Sequence, residues 1–226
     1  MARLVRVPLG YSARERFAHE LEQLPYGEGV LVLPNRLLLD DVRLSSRVEV
    51  MGLDTLANKL LNLNGYVDFK EISRRSQELI VQDLITYMVG KKNLQQLDSR
   101  ELSYFNKLVD KEGFVKAMTS LIGQLARSGV PKQEIDNVFK HWEREGALQE
   151  KNKGVRDIYL LYRQYLENNQ WFDLEGKYRL ALRVLGRRQP KLNWKKVYFC
   201  DFYSFDKLQL KLIKRLAQHC EVTLGL

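Results

Sequence analysis

Cysteine, histidine and proline are all scarce, with only 2, 3 and 5 of them among 226 residues. Two isolated thiols, Cys200 and Cys220, exclude a disulfide framework and fit a reducing compartment. Cys200 lies inside an apolar run and reads as a small buried hydrophobe. His19, His141 and His219 are spread along the chain with no metal-ligand spacing, so no metal site is expected. No apolar run approaches the ~20 residues of a membrane span. The N-terminal stretch MARLVRVPLG has no apolar core of the signal-peptide kind. The expectation is a cytoplasmic protein with no membrane attachment.

What is present is ordinary globular material: 45% hydrophobic and 29% charged residues, enough for a substantial core. The charge is one-sided, 37 basic against 28 acidic residues and a net +9. An excess of this sign favours nucleic acid or an acidic protein over a neutral small ligand.

Strand and helix signals alternate over the first 65 or so residues. Leu4, Val5 and Val7 form a short apolar strand ending at Pro8 and Gly10. Ser12 is placed to cap a helix from about Ala13 to Leu24 carrying Phe17, Leu21 and Leu24. Val30–Leu33 and Val48–Met51 are further strands, the second followed after Gly52 by a helix with Leu53, Leu56, Ala57, Leu60 and Leu61 at helical spacing. From about Ser73 the pattern is helical. Ile80, Leu84 and Met88 make a stripe closed by Gly90, and Asp98 with Glu101 opens a segment through Leu108. Phe114, Met118, Leu121, Ile122 and Leu125 form a stripe before Gly129. Pro131 starts a helix with Ile135, Val138, Phe139 and Trp142. Ile158, Tyr159, Tyr162 and Leu166 line the next, and a last helix covers about Asp173–Leu185. No strand signal occurs between 70 and 188. Strands then return at Val197–Cys200 and Val222–Leu224, around a helix opened by Ser204 with Leu208, Leu212 and Leu216 facing inward. Continuous apolar strands alternating with helices indicate a parallel sheet covered on both faces. The expected organisation is therefore an α/β domain from 1–69 and 189–226, split by an all-helical insertion at 70–188. Leu226 directly follows a strand that should lie inside a sheet, so the reading frame is expected to continue.

In such a sheet the loop after the first strand is the natural phosphate cradle. A working loop reads G-x-x-x-x-G-K-[ST], with glycines for amide approach, lysine for the terminal phosphates and a hydroxyl for magnesium. Counted from Gly10, this chain offers Glu15, Arg16 and Phe17 instead. A carboxylate repels phosphate and a phenyl ring cannot hold magnesium, which leaves Gly10 as a turn glycine. At the end of the late strand, Asp201 stands where a magnesium-binding acid is needed, but Phe202, Tyr203 and Ser204 follow with no second acid to orient water. Asp201 is expected to hydrogen-bond within its own strand-to-helix turn. Hydrolysis is not expected here.

The segment VYFCDFYSFDKLQLKLIKRL (197–216) resembles the strand, turn and helix of the N-terminal region of the AddB/RexB family, the B subunits of bacterial ATP-dependent AddAB helicase–nucleases. Asp201, Phe202 and Phe205 fit that pattern, while the family's glycine after the aspartate is missing. VEVMGLDTLANKLL (48–61), GFVKAMTSLIGQLARSGV (113–130) and EKNKGVRDIYLLYRQYL (150–166) resemble other parts of the same region. The resemblance implies a RecA-like, superfamily 1 helicase-like fold that supports an AddA-type motor subunit and contacts DNA without unwinding it. It also implies that the nuclease motif, its magnesium and the iron–sulfur cysteines lie beyond this segment, leaving no cofactor here.

Contacts to DNA are expected in loops after the strands. The candidates are Asn35 and Arg36 after the second strand, Thr55, Asn58 and Lys59 in the helix after the third, and the pair Arg74–Arg75. Each of these also reads as an ordinary capping or solvated residue. The Lys207, Lys211 and Lys214 stripe reads as the solvated side of an amphipathic helix. Trp142, Tyr159, Tyr162, Tyr165, Trp171 and Phe172 follow core spacing, with Tyr165 the least consistent. Two other functions stay open: an adaptor whose basic surface docks an acidic protein, and an ATPase with an unconventional phosphate loop.

Overall fold

Five apolar stretches, each four or five residues long, find their hydrogen-bond partners only in one another. They form a parallel sheet from β1 (Ala2–Val5), β2 (Gly29–Leu33), β3 (Glu49–Gly52), β6 (Lys196–Phe199) and β7 (Glu221–Gly225), in the spatial order β1-β7-β6-β2-β3. This computed structural model describes residues 2–5, 13–34, 48–67, 69–94, 105, 108, 110–130, 134–140 and 147–225. Gly10, Ser12, Asn35, Arg36, Asp98, Glu101, Pro131, His141 and Trp142 lie outside the described residues.

Register in the sheet centre sets Val30 beside Val197 and Leu31 beside Tyr198. All five residues of β2 are buried. Alternation along the strands sends Leu31, Leu33, Tyr198 and Cys200 to one face and Val30, Val32, Val197 and Phe199 to the other. Both sets are buried, which is why β2 and β6 read as unbroken apolar runs rather than alternating ones. On the first face α1 (Ala13–Glu22) supplies Phe17 and Leu21 to a cluster with Leu31, Leu33, Val48, Tyr198 and Cys200. α2 (Leu53–Leu63) follows β3 without a loop, buries Leu53, Leu56, Ala57, Leu60 and Leu61, and ends where Gly65 takes φ +85°.

The chain separates into two compact units. The first is Met1–Asp68 with Gly176–Leu226, and the second is Phe69–Glu175. The chain thus re-enters the first unit earlier than residue 189, inside α7 (Leu174–Leu185). α8 (Lys207–Leu216) completes the first unit. Its cap is Asp206 rather than Ser204: the Asp206 carboxylate accepts from the Gln209 amide at 2.8 Å while Gln209 Oε1 accepts from the Asp206 amide at 3.0 Å. Ser204 has no acceptor side chain three residues on, whereas Asp206 has one, and the reciprocal pair wins.

The second unit comprises α3 (Arg74–Leu94), α4 (Glu112–Arg127), α5 (Ile135–Lys140) and α6 (Ala147–Asn168). Its core joins Val81 and Ile85 of α3, Met118, Ile122 and Leu125 of α4, Ile135 and Phe139 of α5, and Ile158, Tyr159, Tyr162 and Leu166 of α6. Gly90 does not end α3, which continues to Leu94. One interior glycine costs only about 1 kcal/mol. Two strands also occur where none was expected, β4 (Lys70–Glu71) and β5 (Trp171–Phe172), paired in parallel. Two residues are too few to leave a periodic signal.

Candidate nucleic-acid interface

In an open α/β sheet, ligands meet the carboxyl ends of the strands where successive connections turn in opposite directions. From β2 the chain proceeds outward to β3, and from β6 it proceeds the other way to β7. The switch therefore falls between β2 and β6, and the turn that follows β6 is 201–206.

That turn is anchored at both ends. Asp201 takes φ +60°, a left-handed conformation that Asp tolerates better than most side chains. Its carboxylate does not cap the turn, as the sequence had suggested; it accepts a charge-assisted hydrogen bond from Arg14 Nε in the first turn of α1. Phe202 is buried, stacked on Phe205 with centroids 4.6 Å apart, and both rings meet Phe199 edge-on at 5.9 and 6.2 Å. Between these anchors Tyr203 is fully exposed, at 104% of its reference surface.

The residues that replace a phosphate loop are also in place on α1. Phe17 is 2% exposed and meets the Tyr198 ring at 4.7 Å, so its side chain belongs to the core. Glu15 and Arg16 are exposed, and Arg16 reaches Glu20 at 3.4 Å. Tyr198 donates to Glu20 at 2.8 Å; burial, and then that carboxylate, push its phenol above the ordinary tyrosine range. Burial likewise pushes the Cys200 thiol up to about 12, with neighbouring Asp201 adding to it.

The DNA-contact candidates on α2 are not kept together. Thr55 is exposed in the first turn, beside the carboxyl end of β3. β6, β2 and β3 are adjacent, so the 201–206 turn and this helix start are separated by about two strand spacings, ~10 Å. Lys59 points to the opposite edge of the sheet, where Nζ pairs with Glu49, the first residue of β3, at 2.8 Å. A helix running back along its strand carries its second turn away from the carboxyl edge, which explains the separation. Lys59 there lines an open cleft of about 710 Å³ with Glu28, Glu49, Asn62 and Trp194. Asn58 lies between the two edges, with Oδ1 buried and lacking a partner. Arg74 and Arg75 both approach Glu78, at 3.9 and 3.3 Å, in a helix start capped by the Ser73 hydroxyl.

Among the aromatic candidates, Tyr159 and Tyr162 are core residues. Tyr162 donates to buried Asp173 at 3.0 Å, and desolvation raises its phenol far above the ordinary value. Tyr165 is half-exposed and meets Trp171 edge-on at 5.8 Å, with Lys70 lying 4.1 Å above the Trp171 ring. Among the described residues no three His, Cys, Asp or Glu side chains gather as a metal site, and no helix is long and apolar enough to cross a membrane. The sequence reading missed Arg14 and Tyr203. Nothing local marks Arg14, because its partner is 187 residues away.

Comparison with known proteins fits this architecture. The family described as "ADDB, N-terminal" matches residues 36–226. The chain belongs to that AddB N-terminal family. Among relatives of this AddB N-terminal region is the B subunit of the ATP-dependent helicase/deoxyribonuclease of Carboxydothermus hydrogenoformans, 29% identical over 238 residues, covering 100% of this chain and 21% of that protein. The protein of the same name from Bacillus anthracis is 27% identical over 222 residues, covering 87% of this chain and 17% of its own length. The AddB N-terminal region thus spans about a fifth of these relatives.

Proposed function

We propose that this chain is a non-catalytic, helicase-like scaffold that contacts DNA within the B subunit of an ATP-dependent helicase–nuclease acting in double-strand-break repair. The observation that carries the reading is the Arg14–Asp201 ion pair. Where a motor would hold a magnesium–nucleotide between the start of the first helix and an acid after the late strand, a guanidinium neutralises that acid. Buried Phe17 stands in place of the magnesium-binding hydroxyl. These residues do not fit a magnesium–nucleotide, and no step is assigned to one.

The strand order supports a RecA-like sheet, because β7 alone separates β1 from the acid-bearing β6 and all pairings are parallel. In this reading the second unit, Phe69–Glu175, is the 1B-like insertion, a motor subunit is the partner, and nuclease, magnesium and iron–sulfur chemistry belong to the rest of the protein. DNA contact draws on the +9 charge and on the crevice at the carboxyl edge.

Two titrations of the 226-residue chain test this reading. Calorimetry with ATP and magnesium should be flat, and measurable affinity would support an unconventional ATPase instead. Fluorescence anisotropy with a labelled single strand should give binding that weakens steeply with salt. No binding at low salt would leave the adaptor that docks an acidic protein as the better reading.

A further inference from the structure

We infer that the groove between α3 and α6 is a docking site for an amphipathic helix of a partner protein, which seats apolar side chains between Tyr87 and Tyr165 and brings a lysine or arginine to Asp83. This goes beyond the DNA-contacting scaffold and does not rest on it.

Among the described residues the second unit exposes four large apolar side chains, and they are not scattered. Tyr87 and Tyr165 line one groove of about 330 Å³, and Leu79 stands one turn before Asp83 on the same helix. α3 supplies Ile80, Asp83, Leu84 and Tyr87 at spacings of three and four, so they share one side of that helix, and α6 supplies Tyr165. Ile80 is buried and Leu84 packs partly against the core, which makes the floor apolar and fixed. Tyr87 is 52% exposed and Tyr165 36%, so both walls keep ring surface to bury. Trp171 braces the Tyr165 ring edge-on at 5.8 Å, and this wall is therefore ordered before anything docks. Concave apolar ground walled by tyrosines has the composition of an interface hot spot, not of a solvated helix face.

Asp83 selects the occupant. Several other acids of this unit find a cation inside it: Glu78 has Arg75, Asp157 has Arg156 and Glu175 has Arg127. Asp83 is exposed and has no ion pair among the described residues, although the chain carries 37 basic side chains. A carboxylate set in an apolar stripe opposes docking through its desolvation unless the incoming surface supplies a cation. Phosphate would be repelled at that point, which argues against nucleic acid here. The stripe at i, i+3, i+4 and i+7 on α3 offers ridges and grooves for a second helix to cross. An extended segment has no comparable seat, because β4 and β5 have two residues each.

The test uses the 226-residue chain and two labelled amphipathic helices of equal length, one of leucine and lysine and one of leucine and glutamate, followed by fluorescence anisotropy. The net charge of +9 favours the acidic helix at long range, so a preference for the basic one reports a local site. Wild type should bind the leucine–lysine helix about 5-fold more tightly than the leucine–glutamate helix. Asp83→Lys should reverse that order and, at an exposed position, keep the wild-type thermal midpoint. Tyr87→Ala and Tyr165→Ala should each weaken the leucine–lysine helix about 10-fold. Leu210→Ala, an exposed leucine of the other unit, should change nothing. An unchanged preference in Asp83→Lys, or no preference in wild type, would overturn the site. Displacement of the bound helix by an oligonucleotide would make nucleic acid the occupant. Dimerisation of the free chain that Tyr87→Ala abolishes would make it a second copy. Either result overturns the proposal.

Discussion

Arg14 and Asp201, 187 positions apart in sequence, form an ion pair that ties the first helix of the sheet unit to the turn after β6. Both side chains are about one-third exposed or less, so solvent screens the pair only in part. In a double-substitution cycle, Arg14→Gln and Asp201→Asn should show a coupling of about 1 kcal/mol that shrinks with salt. Neither variant should gain affinity for magnesium–ATP, since Phe17 still lacks the ligating hydroxyl. Urea denaturation checks the first statement and calorimetry the second; additive effects of the two substitutions would show that the pair is not formed in solution.

Phe17 stands at the position a phosphate loop gives to serine or threonine, but it is a core residue against Tyr198. Phe17→Ala should destabilise the protein by about 3–5 kcal/mol. Phe17→Ser should cost at least as much, because it adds a hydroxyl to an apolar cluster. A loss below about 1 kcal/mol for Phe17→Ala would contradict the packing described.

Both thiols should be unreactive in the native protein. Burial pushes Cys200 and Cys220 each up to about 12, which leaves on the order of one thiolate in 10⁴ at about pH 8. A chromogenic disulfide reagent should therefore titrate both cysteines promptly in denaturant and neither promptly without it. Fast labelling of Cys200 in the native state would mean that the sheet centre opens.

Glu175 gives a pH signature. Its carboxyl is raised above the ordinary value of 4.5, first by burial and next by the charge of Asp173, with Arg127 at 2.7 Å opposing the shift. The native state then holds this proton more tightly than the unfolded chain. The stabilisation is complete below the unfolded value and is lost as pH rises through the folded one. Glu175→Gln removes that loss, so the stability of the variant relative to wild type should rise as the pH is raised above the ordinary carboxyl value of 4.5. Denaturant titrations across that window measure the difference, and a flat difference would overturn the assignment.

Gly154 on α6 lies against the buried ring of Phe105, and a β-carbon added there would overlap that ring. Gly154→Ala should therefore destabilise by about 1–3 kcal/mol, despite the better helix propensity of alanine. A thermal melt reads the sign: an increased midpoint would mean that Phe105 is free to move aside.

How much was legible follows from particular residues. Val30–Leu33 and Val197–Cys200 announce themselves because strands buried on both faces must be apolar throughout. The α4 stripe of Met118, Ile122 and Leu125 is equally plain. β4 and β5 were not legible, since two residues carry no period. The cap at Asp206 was legible from Gln209 three positions on, but Ser204 competes for the same role in sequence. The displacement of Lys59 to the far edge of the sheet depends on α2 following β3 with no loop, a fact of tertiary structure.

The sequence by itself determined that the phosphate-loop pattern is missing, because Glu15 and Phe17 stand where that pattern needs a glycine and a magnesium-binding hydroxyl. It also determined the alternation of strand and helix, which is a local property of apolar spacing. Only the tertiary structure decided the order β1-β7-β6-β2-β3, because parallel pairing joins segments far apart in sequence. By the same long-range closure it gave Asp201 to Arg14 instead of to its own turn, and left Tyr203 in solvent next to buried Phe202.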